Sequence, residues 1–177
     1  MPFDLNQYSD AVRSVLAEAE SGRRAVPLAP RAALEGLALT RLRSMSTDDL
    51  FSGEQVVSRS DADCVRSGLY LYLSALDESH TISQSISTDS GSFWHGIMHR
   101  QEPDYANAKY WFRRVGRHPV YDELERVTGE AWDPFAFVDL CETAEQGSAE
   151  DRDALVSLQR LEWQTLFAHC YRLAVGR

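Results

Sequence analysis

Apolar residues along this chain recur with the helical period of about 3.6, and no stretch shows the sustained alternation of a strand. At the start, Tyr8, Val12, Val15 and Ala19 share one side of a helix predicted over Leu5 to Glu20. Pro27 and Pro30 punctuate the break that follows. A second helix is predicted around Arg31 to Arg43. Ser46-Thr47-Asp48-Asp49 has the capping-box form of a new start, in which the serine and the acid three residues on satisfy backbone N–H groups reciprocally. Residues 51–60 read as an exposed loop. From Asp61, the apolar positions Val65, Leu69, Leu73 and Leu76 step by four, four and three, predicting one long amphipathic helix into the low eighties. Thr88-Asp89-Ser90-Gly91 reads as a turn and Phe93 to Arg100 as a short helix. Pro103 suits the first position of the next helix and Gly116 its C-cap. Pro119 opens a helix through Val127, and Asp133-Pro134 begins another. Ser148-Ala149-Glu150-Asp151 caps the last and longest, to about Ala174. With no repeat, low-complexity tract or linker, the pattern predicts a single all-α domain of about seven or eight helices over residues 1–177.

Bulk properties narrow the classes of function. At 177 residues, 44% apolar and 25% charged, the chain is of ordinary globular composition with enough length for one good core. A net charge of −9 argues against nucleic acid as the main partner, because phosphate binding needs a positive face. It also disfavours attachment to an anionic membrane surface. No apolar run approaches the ~20 residues that span a bilayer. The first residues lack the basic and apolar regions of a secretory signal. Cys64, Cys141 and Cys170 are odd in number, widely separated and without a Cys-x-x-Cys pair, which fits buried reduced thiols better than disulfides or a zinc-thiolate site. The expectation is a cytoplasmic protein.

Candidate chemistry is concentrated between Glu78 and Pro119. Four of the five histidines lie there, with Trp94, Trp111 and the only lysine. His95 and His99 are four apart and project from one helix face, a spacing that lets two imidazoles converge on a divalent ion at ~2.0–2.1 Å. His80 continues the Val65-to-Leu76 stripe by one more step and is the candidate third ligand. Glu78, two residues earlier, joins that site only if the helix distorts. The zincin pattern is absent, because Gly96 stands where the glutamate would be. The alternative is that these histidines hydrogen-bond one another and nearby acids inside a polar helix interface. Lys109 stands out among seventeen arginines, since a position that keeps lysine can exploit a compact ammonium or one that loses its proton; chance retention is the other explanation. From Arg100 to Arg117 the segment is locally +3, with Arg100, Lys109, Arg113, Arg114 and Arg117 against Glu102 and Asp104. Such an island holds a carboxylate or phosphate, or pairs with acids elsewhere. Asp104, Asn107, Trp111 and Arg114 share one face of the next helix, as a pocket wall would. Trp132 and Trp163 read as core, and His169 as structural or exposed.

The run Asp77-Glu78-Ser79-His80-Thr81-Ile82-Ser83-Gln84, then Phe93-Trp94-His95-Gly96-Ile97-Met98-His99-Arg100, Glu102-Pro103-Asp104, Asn107-Ala108-Lys109-Tyr110-Trp111-Phe112-Arg113 and Gly116-x-His118-Pro119, resembles a family of uncharacterised, mostly bacterial proteins. The resemblance covers roughly a quarter of the chain, inside region 77–119. It implies that these residues form the family's signature, and it implies no mechanism, since the family has no established activity.

From the residues themselves, the sharpest expectation is an enzyme acting on a small anionic metabolite, with or without a divalent transition metal (Zn, Fe, Mn or Ni). His95, His99 and His80 bind the metal or move protons. His80, Asp104 and Lys109 are the catalytic candidates. Glu78, Trp94, Arg100, Glu102, Asn107, Trp111, Arg113, Arg114 and His118 are the binding candidates. The rival expectation is a non-catalytic module that grips an anionic small molecule or partner. A third is a structural protein whose buried polar network fixes the helix packing.

Overall fold

The computed structural model describes residues 3–144 and 148–177 and contains ten α-helices and no strand among them. Met1, Pro2 and residues 145–147, which the single-domain expectation includes, lie outside the described residues. After a 3-10 turn at Leu5–Gln7 come α1 (Asp10–Ala17), α2 (Leu37–Ser44), α3 (Thr47–Leu50), α4 (Arg59–Tyr72) and α5 (Leu76–Ser83). Then follow α6 (Asp89–Gln101), α7 (Tyr105–Val115), α8 (Pro119–Thr128), α9 (Pro134–Ala144) and α10 (Ala149–Ala174). The all-α expectation holds, with ten helices in place of seven or eight.

One expected helix is split by a break that apolar periodicity does not register, and several bounds shift. The first predicted helix is a 3-10 turn followed by α1, because the Ser9 side chain accepts from Val12 N–H at 3.2 Å and restarts the helix there. The second begins only at Leu37, after Gly36. The predicted loop at 51–60 contains the buried Phe51, stacked on Tyr171. The long helix expected from Asp61 is two helices. At Ser74 the backbone turns left-handed, with φ +57°. The carbonyls freed there find partners: Leu73 C=O accepts from Leu34 N–H at 2.7 Å, and Tyr70 C=O from Ala75 N–H at 2.9 Å. The chain doubles back, so that Ser67 and Ser79 hydroxyls meet at 2.8 Å. In a straight helix those residues, twelve apart, would stand about 18 Å apart along the axis. The predicted turn at 88–91 is the start of α6, where the Thr88 hydroxyl accepts from Gly91 N–H at 3.1 Å. α7 starts two residues after Pro103, capped by Asp104, which accepts from Asn107 N–H at 3.1 Å.

α6 is the inner helix, packed against α4, α5 and α7. Every residue from Ser90 to Gln101 is buried. A helix buried on all sides is ordinarily apolar all round. This one carries two serines, two histidines, an arginine and a glutamine into the interior, and each buried polar group must find a partner or cost stability. Those partners define the candidate site. α10 lies along α4, α8 and α9, contributing Trp163, Leu166, Phe167 and Tyr171 to the core.

Candidate metal centre

Two of the polar groups that α6 buries are imidazoles, and a third, half-buried, comes from α5. His95 and His99, on α6, and His80, on α5, meet in tilted and edge-on contacts, with ring centroids at 4.8 Å (His80–His95), 5.4 Å (His80–His99) and 4.7 Å (His95–His99). One nitrogen from each lies within 4.8 Å of the others, close enough for the three to hold a metal ion. Nε2 of His95 and Nε2 of His99 are 3.0 Å apart. Two nitrogens bound to one ion at ~2.0–2.1 Å stand roughly 2.9 Å apart at a right angle and roughly 3.3 Å apart at the tetrahedral angle. The observed separation falls in that interval.

The opposite nitrogens are held. His95 Nδ1 is 2.8 Å from Ser83 Oγ at the end of α5. His99 Nδ1 is 3.3 Å from a Glu102 carboxylate oxygen. Partners of this kind orient ligating imidazoles by accepting from Nδ1–H and so leaving the Nε2 lone pair for an ion; here the Glu102 carboxylate accepts, whereas the Ser83 hydroxyl can donate or accept. Asn107 on α7 brings its side-chain amide to 3.0 Å from His99 Nε2. Trp111, one turn on, packs its ring 4.1 Å from the His95 ring, and the Arg114 guanidinium lies 5.2 Å over the Trp111 ring. His80, Asn107 and Trp111 are half-buried, whereas His95 and His99 are buried.

Electrostatics favour neutral rings. Burial, then the neighbouring His99 and His80, push His95 down to about 3. Burial also lowers His99, against the opposing pull of Glu102. Neutral imidazole is the form that ligates metals.

The remaining expected site residues scatter. Asp104 is the exposed cap of α7, and its charge acts on His99. Glu78 points away, paired with Arg43 Nε at 2.8 Å. Trp94 is wholly buried against Gly68. His118 is buried, caps α8 by accepting from Val120 N–H at 3.2 Å, and has Ser90 Oγ 3.1 Å from Nε2; burial, then His169, lowers it to about 4. The basic island does not form one surface. Arg100 is fully buried, hydrogen-bonded to Glu162 on α10 and stacked 4.3 Å over Phe137. Lys109 faces α9 and pairs with Asp139. Arg113 and Arg114 remain exposed, and Arg117 lies 3.9 Å from Asp122. A helical register places a charge on a face but does not name the helix that covers it, so these pairings had no local signal.

Sequence reasoning passed over Ser83, which precedes His95 by twelve positions and meets it only because α5 turns back onto α6. It also passed over a second cluster, Asp61, Cys64 and Cys170, whose donor atoms lie within 4.8 Å of one another. Comparison with protein-family models, curated proteins and solved structures returns no match for this chain. No helix among the described residues is long and apolar enough to cross a membrane.

Proposed function

We propose that His80, His95 and His99 bind one divalent transition-metal ion and that the protein is a metal-dependent enzyme acting on a small anionic molecule. The observation that carries this reading is the convergence of three imidazoles whose inner nitrogens face one another while Ser83 and Glu102 hold the outer nitrogens of two. A purely structural hydrogen-bond network accounts for His95 and His99 but not for His80, whose ring has no hydrogen-bond partner among the described residues. Three imidazoles around an ion leave a position open for water or substrate. An ion in such a site lowers the pKa of bound water and polarises a bound oxygen, the chemistry of hydrolysis and related additions. Anionic substrates are favoured by Arg114, which reaches the cluster through Trp111, with Arg113 exposed beside it. Asn107 is placed to orient a group at the open position.

The second reading is an anion-binding module without turnover. It ranks lower because Arg100 and Lys109 are committed to Glu162 and Asp139, leaving Arg113 and Arg114 as its main cations.

Elemental analysis of tag-free protein, purified without chelator, tests the metal. In Cys64→Ser/Cys170→Ser protein, which leaves the histidines as the one such cluster intact among the described residues, we expect Zn, Fe, Mn or Ni at one equivalent, lost on adding His95→Ala/His99→Ala and weakened on adding His80→Ala, the least buried of the three. If that background takes up none of the four ions on reconstitution after chelator treatment, or retains the ion when His95→Ala/His99→Ala is added, the proposal fails.

A further inference from the structure

Cys64 and Cys170 belong to distant parts of the sequence, and the fold closes them onto one another. The end of α10 docks on the start of α4: Val57 N–H and Ser58 N–H both donate to Ala174 C=O, at 2.8 and 3.3 Å. This places Cys170, one turn before Ala174, against Cys64 in the second turn of α4. Both thiols are fully buried. Asp61 stands three residues before Cys64, so its carboxylate projects from the same face, and it is oriented by the Ser58 hydroxyl, which donates to it at 2.5 Å. One donor atom from each of the three lies within 4.8 Å of the other two. Asp61 is half-buried, so the cluster reaches solvent through the carboxylate.

Three chemistries suit a pair of apposed cysteines. A nucleophile needs an accessible thiol with a lowered pKa. Here both thiols are fully buried, and Cys170, then burial and Asp61, push the Cys64 thiol up, so that role fails. A disulfide has no use for the carboxylate, which would only repel the thiolates that form it. A cation uses all three donors, and it relieves the mutual repulsion that bringing two thiolates and a carboxylate together creates. Thiolate sulfur selects soft or borderline ions of the zinc class.

We propose that Asp61, Cys64 and Cys170 form a second metal site, for a zinc-class divalent ion, which clamps α10 to α4. Binding replaces two S–H bonds with two metal–sulfur bonds and releases two protons to solvent. A water completes the coordination on the open side of Asp61. The site shares no residue with the histidine centre and stands whether or not that centre binds metal.

Cobalt substitution separates the two sites, because thiolate ligation gives a charge-transfer band in the near ultraviolet and imidazole ligation does not. Reduced full-length protein titrated with cobalt(II) is expected to develop that band, saturating at one equivalent per chain once the histidine centre is removed by His95→Ala/His99→Ala. It should disappear in Cys64→Ser and Cys170→Ser, and persist in His80→Ala and in Cys141→Ser, which removes the remaining thiol. Asp61→Asn keeps both thiols and changes a half-exposed residue. It should retain the band with cobalt affinity reduced roughly tenfold or more, as loss of a ligand or its support does. Circular dichroism checks that each variant is folded. Absence of the band in reduced wild type, its survival in both cysteine variants, or an Asp61→Asn affinity equal to wild type would overturn the proposal. So would freshly purified protein with two thiols missing from a denatured thiol count, which would assign the pair to a disulfide.

Discussion

Glu102 is not among the three proposed donors, yet it faces His99 Nδ1 across 3.3 Å from a position half exposed to solvent. Its carboxylate would hold the His99 ring and raise the basicity of Nε2. Glu102→Gln should therefore lower metal affinity by about 10–100-fold while leaving thermal stability within about 0.5 kcal/mol of wild type. Competition titration against a chelator and a melt of the metal-free protein check the two halves; an unchanged affinity would remove Glu102 from the centre. Arg100 and Glu162 behave differently because both are fully buried. Removing one charge strands the other, so Glu162→Gln is expected to cost about 3–5 kcal/mol in urea unfolding. Arg100→Met/Glu162→Leu, which removes both charges, should recover most of that loss. The i, i+4 spacing of His95 and His99 was legible in the sequence because a helix alone sets it. The partner of Arg100 was not, since Glu162 arrives from α10 through tertiary packing.

At the scale of elements, the helix starts at Ser46, Pro119 and Ser148 were legible, whereas the starts after Ser9, Gly36 and Thr88 and the break at Ser74 were not. The capping boxes at Ser46/Asp49 and Ser148/Asp151 both form, with each serine side chain accepting from the acid's backbone N–H. Pro119 opens α8 and Gly116 ends α7 as their local chemistry requires. A capping box is local and carries two matched residues, so sequence shows it, whereas the single-residue caps at Ser9 and Thr88 left no such mark. The reversal at Ser74 is supported by Leu34 and by Arg24, whose guanidinium donates to the Ser74 hydroxyl at 3.1 Å, and no helical pattern announces those partners. Close crossings are similarly silent. At Gly68 on α4, an added Cβ would stand 2.8 Å from the Trp94 ring of α6 and 3.2 Å from Phe167 of α10. Gly68→Ala should cost about 1–3 kcal/mol by overpacking. The same substitution at Gly129, where a Cβ would meet nothing within 4 Å, should instead show only the strain of its left-handed φ of +80°. Urea midpoints of the two variants test the contrast, and equal losses would remove the crossing from the explanation.

Across the whole molecule, burial keeps four histidines neutral. His95 lies near 3, His118 near 4, and His99 and His169 are also lowered, with burial the first cause in every case. In the unfolded chain these rings protonate near ~6.5. Between that value and the folded one the unfolded state holds more protons, so stability is full above ~6.5 and falls as pH drops toward 4, by roughly 1.4 kcal/mol per pH unit for each of His95 and His118, with His99 and His169 adding in the same direction. Urea unfolding of metal-free protein at stepped pH should show this slope. It should become shallower by about one ring's share in His118→Asn, whose side chain still caps α8, and an unchanged slope would remove His118 from the titration. The single all-α architecture was legible because it sums many amphipathic stripes. The Cys64–Cys170 meeting was not, because it depends on how α10 lies on α4.

The reversal at Ser74 also sets an order of events. His95 and His99 ride on one fully buried helix, while His80 rides on an eight-residue helix with its own joint and a half-exposed ring. In the proposed centre an incoming ion would meet the half-exposed His80 first from solvent, and His80 would be the first ligand to let go. The residence time of the ion would then follow the exposure of one ring more than the basicity of all three.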